Sequence, residues 1–140
     1  MNRLLAFFAT PLLAAAGLLT FSLLGACTSQ APTVSVTGEV FYLQRMALPP
    51  QAVLSVTLQD VSLADAPAIE LARQQGPVNG QVPLPFRLDY NPQQIDPRHR
   101  YSVSARIELD GRLLLISTQH YGVKLDGSDQ PLRIKLDPVR

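Results

Sequence analysis

The sequence predicts an all-β fold, a single β-sandwich of about seven to eight strands, immunoglobulin-like or closed as a partly open barrel. Three observations carry this. Apolar residues recur at every second position through most of residues 33–137, the alternating runs are short, and Pro- or Gly-containing turns separate them.

Val34, Val36, Val40 and Tyr42 share one face of a first strand, with Thr33, Ser35, Thr37 and Glu39 opposite. Gly38 interrupts it where a bulge or a close approach fits. Leu48-Pro49-Pro50 then reads as a rigid loop, because its prolines cannot donate ladder hydrogen bonds. Leu54, Val56 and Leu58 repeat the alternation. Ser62 to Pro67 ends that strand, and Ile69 to Arg73 forms a short third one. Asn79-Gly80 is a type I′ signal expected to fold this strand back onto Val82, Leu84, Phe86, Leu88 and Tyr90. Pro83 and Pro85 remove two amides from one side of that strand, which places it at a sheet edge.

Asn91 to Arg98 reads as a loop with one helical turn. After it, Tyr101, Val103, Ala105, Ile107 and Leu109 alternate with polar residues, and Asp110-Gly111 turns the chain into residues 112–118. The returning Leu113-Leu114-Leu115-Ile116 is apolar on both faces. It is either a strand covered on both sides or a partner surface, for which Leu114 and Ile116 are the candidate residues. Leu132, Ile134 and Leu136 make the last strand.

Residues 1–26 are set apart from this fold. Arg3 precedes an apolar run from Leu4 to Leu24, and Leu24-Gly25-Ala26-Cys27 has the form of a bacterial lipobox ending in the chain's single cysteine. Expected processing removes residues 1–26 and places acyl chains on Cys27. Residues 27–32 are then a lipidated tether and residues 33–140 the domain. Two chains already exceed what stable membrane attachment needs. Thr28, where an aspartate commonly retains inner-membrane lipoproteins, is the sorting position and favours the periplasmic leaflet of the outer membrane. Two alternatives compete: an uncleaved anchor, since the run is long enough to span a bilayer, and a cut after Ala31, which discards Cys27.

Removing residues 1–26 leaves 114 residues in which eleven Lys and Arg balance eleven Asp and Glu. No basic stripe suited to nucleic acid exists. With Cys27 lipidated no disulfide is available, and two distant histidines, His99 and His120, do not make a zinc site. His99, beside Asp96 and Arg98, reads as solvated or charge-paired. Asp126-Gly127-Ser128-Asp129 reads as a turn, because it lacks the oxygen-donor spacing of a calcium loop. No serine lies in a nucleophile motif. A non-catalytic protein with no cofactor besides its covalent lipid is expected. Tyr42, Tyr90, Tyr101 and Tyr121 leave open an envelope glycan-binding alternative.

Several segments taken together resemble the YbaY-like lipoproteins, a group related to the YscW-type lipoprotein chaperones, or pilotins, of type III secretion. They are Gly38-Glu39-Val40, Ala47-Leu48-Pro49-Pro50, Val56 to Ser62, Ala64-Asp65-Ala66-Pro67, Val82 to Phe86, Ile95-Asp96-Pro97 and Tyr101 to Leu113. The resemblance implies an outer-membrane lipoprotein with a β-sandwich domain and, by way of the pilotins, an envelope partner such as a secretin. Strand addition at an exposed edge and a groove lined by Leu113 to Ile116 are the two physical routes.

Cys27→Ala is expected to leave the domain folded, abolish lipid labelling and move the protein from the membrane to the soluble fraction. Full labelling and membrane retention in this variant contradict the anchor.

Overall fold

The computed structural model describes residues 33–128 and 130–140; the lipobox, Cys27 and Thr28 lie outside them. Among the described residues nine strands follow in chain order: β1 (Val34–Phe41), β2 (Val53–Asp60), β3 (Ile69–Pro77), β4 (Leu84–Tyr90), β5 (Tyr101–Leu109), β6 (Arg112–Ile116), β7 (Tyr121–Val123), β8 (Leu132–Lys135) and β9 (Asp137–Pro138). One 3-10 turn, Pro92–Gln94, lies between β4 and β5, capped by the Asn91 side chain on the Gln93 N–H. A three-stranded sheet, β4-β1-β8, faces a larger sheet ordered β3-β2-β5-β6-β9, with β7 beside β6 on the same edge of β5. The expected β-sandwich is the observed architecture.

Alternation explains the core. In β4 every second residue is buried, Leu84, Phe86, Leu88 and Tyr90, and the residues between are exposed. Across from them Leu54, Val56 and Leu58 of β2 and Val103, Ala105 and Ile107 of β5 point inward. Val40, Leu58, Ile107, Leu115, Ile134 and Leu136 are fully sequestered. Each aliphatic side chain removed from water in this way contributes about 1.5–3 kcal/mol.

β8 pairs parallel to β1. The Leu136 N–H then donates to Phe41 O at 2.8 Å, and the chain crosses to the large sheet, where Asp137 and Pro138 pair with β6. The Tyr121 hydroxyl accepts the Lys135 N–H at 2.8 Å on the same side. At the opposite side the Gln74 side chain accepts the Arg87 N–H at 2.7 Å, joining β3 to β4. The sandwich is stitched at both margins, which gives it its barrel-like character.

Two expectations need correction. Asn79-Gly80 does not close a hairpin, since β3 and β4 belong to different sheets. The Val78 N–H is engaged by Ala52 O, and the Gln81 side chain accepts from the Leu48 N–H. Residues 78–83 are thereby tied to the β1–β2 connection while they cross between sheets. The third strand also runs on to Pro77 rather than stopping at Arg73, because β2 offers partners over that whole length.

The doubly apolar run 113–116 has a local cause. Ile107 pairs with Leu115 but Glu108 pairs with Leu113, so Leu114 is the extra residue of a bulge. The same irregularity in β3 makes Leu71 the extra residue between Ala72 and Glu70. A bulge lets two successive side chains turn toward one face, and Leu71 with Ala72, like Leu114 beside Leu115, packs against the core. The Asp110-Gly111 turn is as expected, with φ of 50° and 76°, the left-handed conformation that this turn requires.

Gly38 faces inward opposite Phe86. A Cβ there would lie 2.3 Å from Leu132 O and 2.7 Å from the Phe86 ring. The ring therefore fills the space a side chain would take, and the backbone of β8 closes over it. Gly38→Ala is expected to destabilise the domain by about 2–3 kcal/mol in urea unfolding, with partial recovery when combined with Phe86→Leu. An unchanged midpoint contradicts this packing.

Candidate functional site

The outer face of the large sheet carries a trough. Ser55 and Thr57 of β2 alternate with the core residues and so point outward. Pairing sets Thr57 between Arg73 of β3 and Ser104 of β5, and Ser55 between Gln75 and Arg106. Short hydroxyl residues thus form a floor between long side chains. That floor is 4% exposed at Ser55 and 7% at Thr57, although both lie on the outer side of the sheet. Arg73, Arg106, Gln59, Ile116 and Ser117 complete the walls of a cavity of about 160 Å³.

The electrostatics of the rim are balanced. Arg73 forks onto Glu70, with Nε donating to Oε1 at 3.0 Å, and Arg106 Nε lies 3.2 Å from Glu108 Oε1. The Arg73 guanidinium holds the Glu70 carboxyl below its usual range. The Ser55 hydroxyl on the floor is buried and has no hydrogen-bond partner. A buried hydroxyl without a partner costs free energy that an incoming acceptor or donor recovers. The trough therefore offers one unmet polar group, one apolar wall at Ile116 and charged pairs at the rim.

The predicted partner residues divide here. Ile116 is half-buried and lines the trough, whereas Leu114, as the bulge residue, packs against the core. The trough itself escaped sequence reading, because nothing in Ser55 or Thr57 distinguishes an outward residue at a hollow from any other polar strand position. Leu24, Gly25, Ala26, Cys27 and Thr28 lie outside the described residues. Tyr42, Tyr90 and Tyr101 are buried in the core, so these three do not form a sugar-stacking platform.

Edges are blunted. β4, which carries Pro85, is the outer strand of its sheet, and β3, the outer strand of the other sheet at the same margin, carries the Leu71 bulge. Both devices discourage an added strand. Of the two binding routes, the face of the large sheet has the better geometry.

A second polar cluster sits where β2 ends and β5 begins. His99 Nδ1 lies 2.6 Å from Asp60 Oδ2, and Asp60 Oδ1 accepts both the N–H and the hydroxyl of Ser62. The Arg100 N–H donates to Ser62 Oγ at 2.8 Å. His99 is therefore hydrogen-bonded to Asp60 rather than to its neighbour Asp96, which the Arg98 side chain occupies. Ser62 bonds to the carboxylate and not to the imidazole, so the three do not form a nucleophile–base–acid relay. Asp96 is pulled far below the usual carboxylate range, first by the Arg98 guanidinium and then by its backbone N–H. The Asp96 N–H also donates to Tyr101 Oη at 2.8 Å. The cluster locks a loop corner. Ser128 N–H and Oγ both turn back onto Asp126 Oδ1, making that segment a turn.

Residues 31–136 match the family described as type III secretion system lipoprotein chaperone (YscW), and the chain belongs to this family. It is 42% identical over 93 residues to the uncharacterized lipoprotein YbaY of Escherichia coli (strain K12), a match covering 64% of this chain and 49% of that protein. The chain thus spans about half the length of that curated relative. Among solved structures it is similar to an alternative pilotin from the type II secretion system of Vibrio cholerae, with a TM-score of 0.73 and 50% identity, covering 78% of this chain and 99% of that one. The YbaY-like, YscW-related resemblance read from the sequence segments is borne out.

The Asp60 carboxyl is held below its ordinary range, first by the Ser62 hydroxyl and then by the Ser62 N–H and His99. A carboxyl with a depressed folded-state pKa stabilises the fold above its unfolded pKa of about 4, and the contribution is lost as pH falls through the folded value. Asp60→Asn is accordingly expected to be less stable than wild type at pH 7. The difference should shrink as pH drops from about 5 to 3. Urea unfolding at each pH measures this, and a pH-independent difference contradicts it.

Proposed function

We propose that this protein is an outer-membrane lipoprotein, anchored through acyl chains on Cys27 in the periplasmic leaflet, that acts as a non-catalytic chaperone of pilotin type for a secretin-like envelope protein. The observation that carries this reading is the likeness to the Vibrio cholerae pilotin, which extends over nearly all of that chain. Membership of a lipoprotein chaperone family supports it. The lipobox Leu24-Gly25-Ala26-Cys27 and the absence of aspartate at position 28 support the address.

The trough supplies the contact in this reading. A segment of the partner lying across β2 and β5 would set an apolar side chain against Ile116 and a polar group on Ser55 Oγ. The Glu70–Arg73 and Arg106–Glu108 pairs would form the solvated rim. Such a division, a desolvated centre of hydroxyls and one apolar wall inside a charged margin, follows the core-and-rim arrangement in which protein interfaces concentrate their binding energy. No bond is made or broken at this surface, and a chaperone requires none.

The test is co-purification of a secretin with the intact lipoprotein from solubilised envelopes. Ile116→Asp places a charge in the trough and is expected to lower secretin recovery about tenfold or more, equivalent to about 1.4 kcal/mol, with unchanged circular dichroism. Leu114→Asp is expected instead to lower thermal stability, because that side chain packs against the core. Failure to enrich a secretin, or full recovery with Ile116→Asp, overturns the proposal.

A further inference from the structure

Among the described residues, three of the six exposed large apolar side chains, Val34, Leu63 and Ile69, stand at one end of the domain, and topology fixes which end it is. β1 begins at Val34, paired with Tyr90 at the end of β4. From there residues 91–100 lead to Tyr101, which pairs with Asp60 at the end of β2. The Val61 N–H donates to Arg100 O at 2.8 Å. The loop after β2 therefore lies at the same end of the sandwich as the start of β1. This loop reads Leu63-Ala64-Asp65-Ala66-Pro67-Ala68-Ile69, all of it exposed, with a single charge. Leu63 is 70% and Ile69 60% exposed, and Val34, also exposed, stands at this end.

The chain outside the described residues ends here too. Five residues, Thr28 to Pro32, separate Cys27 from Thr33. Even fully extended, the six steps between them span no more than about 20 Å. With Cys27 acylated, the end bearing Leu63 is held beside the bilayer while the other end projects away. Leu43, 71% exposed after β1, stands at that far end, about 25 Å further along the strand direction.

We infer that the 63–69 loop is a membrane-contact surface that lays Leu63 and Ile69 into the phospholipid interface and so fixes how the anchored domain stands on the membrane. The inference rests on the lipid anchor of the proposed function. Charge neither opposes nor drives the contact. Arg98 is paired with Asp96 and His99 with Asp60, and Arg100 and Lys124 offset Asp65 and Asp126 at the same end. Two aliphatic side chains would not hold a free protein on a bilayer. An anchor that keeps them within reach raises their effective concentration enough for a weak contact to persist. The trough is then presented at a fixed orientation to the membrane rather than on a freely tumbling domain.

The full-length lipoprotein carrying Leu63→Cys, or Leu43→Cys for comparison, is labelled with an environment-sensitive fluorophore. Cys27 is blocked by its lipid, so the new thiol is the only one available. Each protein is reconstituted into phosphatidylethanolamine and phosphatidylglycerol vesicles with and without brominated acyl chains. The label at position 63 is expected to shift to shorter wavelength and lose most of its emission to the brominated chains, whereas the label at position 43 keeps its emission. Equal quenching at both positions, or none at position 63 in protein that floats with the vesicles, overturns the orientation. A blue shift at position 63 without bromine quenching also overturns it, because it points to a second copy covering the loop. Failure to float overturns the anchor reading, and this proposal with it.

Discussion

The ladder between β2 and β5 is the constraint on which the rest of the structure depends. Eight residue pairs run in register from Val53 with Glu108 to Asp60 with Tyr101. Because side chains alternate across a strand, this one register simultaneously sends Leu54, Val56, Leu58, Val103, Ala105 and Ile107 inward and Ser55, Thr57, Ser102 and Ser104 outward. A slip of one residue would exchange the core for the trough. The far margin of β5 takes up β6 and β7, and the far margin of β2 takes up β3. The ends of the ladder also fix the loop geometry, since the 61–69 loop leaves from one end of it and the chain arrives from β1 at the other.

Most of the fold was legible wherever a local rule was strong. The Asp110-Gly111 turn, the alternation of β4, its edge position and a close approach at Gly38 each follow from residues near one another in the sequence. What could not be read was long-range. Asn79-Gly80 carries a hairpin signal, yet Val78 and Gln81 are committed to Ala52 and Leu48 some 30 residues earlier. Tertiary hydrogen bonds prevailed over a local turn preference. The run from Leu113 to Ile116 was ambiguous for a related reason. Periodicity cannot reveal a bulge, and the bulge assigns Leu114 to the core and leaves Ile116 at the trough.

The candidate site was legible by half. Ile116 stood out by its hydrophobicity, but Ser55 and Thr57 became notable only when their burial on the outer face was known. His99 was recognisable as a paired histidine, while its partner, Asp60, lies 39 residues away and could not be named from sequence. Placed side by side, the two sets of residues divide the labour of the domain. One end is stiffened by the Asp60, Ser62, His99 and Asp96 contacts next to the apolar loop, and one face holds a hollow with an unmet hydroxyl. In the proposed function, the stiffened end would be the stand and the hollow the receptive face.

The central claim, that the outer face of the large sheet receives a secretin-like partner, is tested most directly by photocrosslinking in living cells. A benzoylphenylalanine incorporated at position 116 of the full lipoprotein is expected to give an adduct with a secretin on irradiation, while the same probe at Leu43 gives none. An adduct at position 43 and none at position 116 would contradict the account.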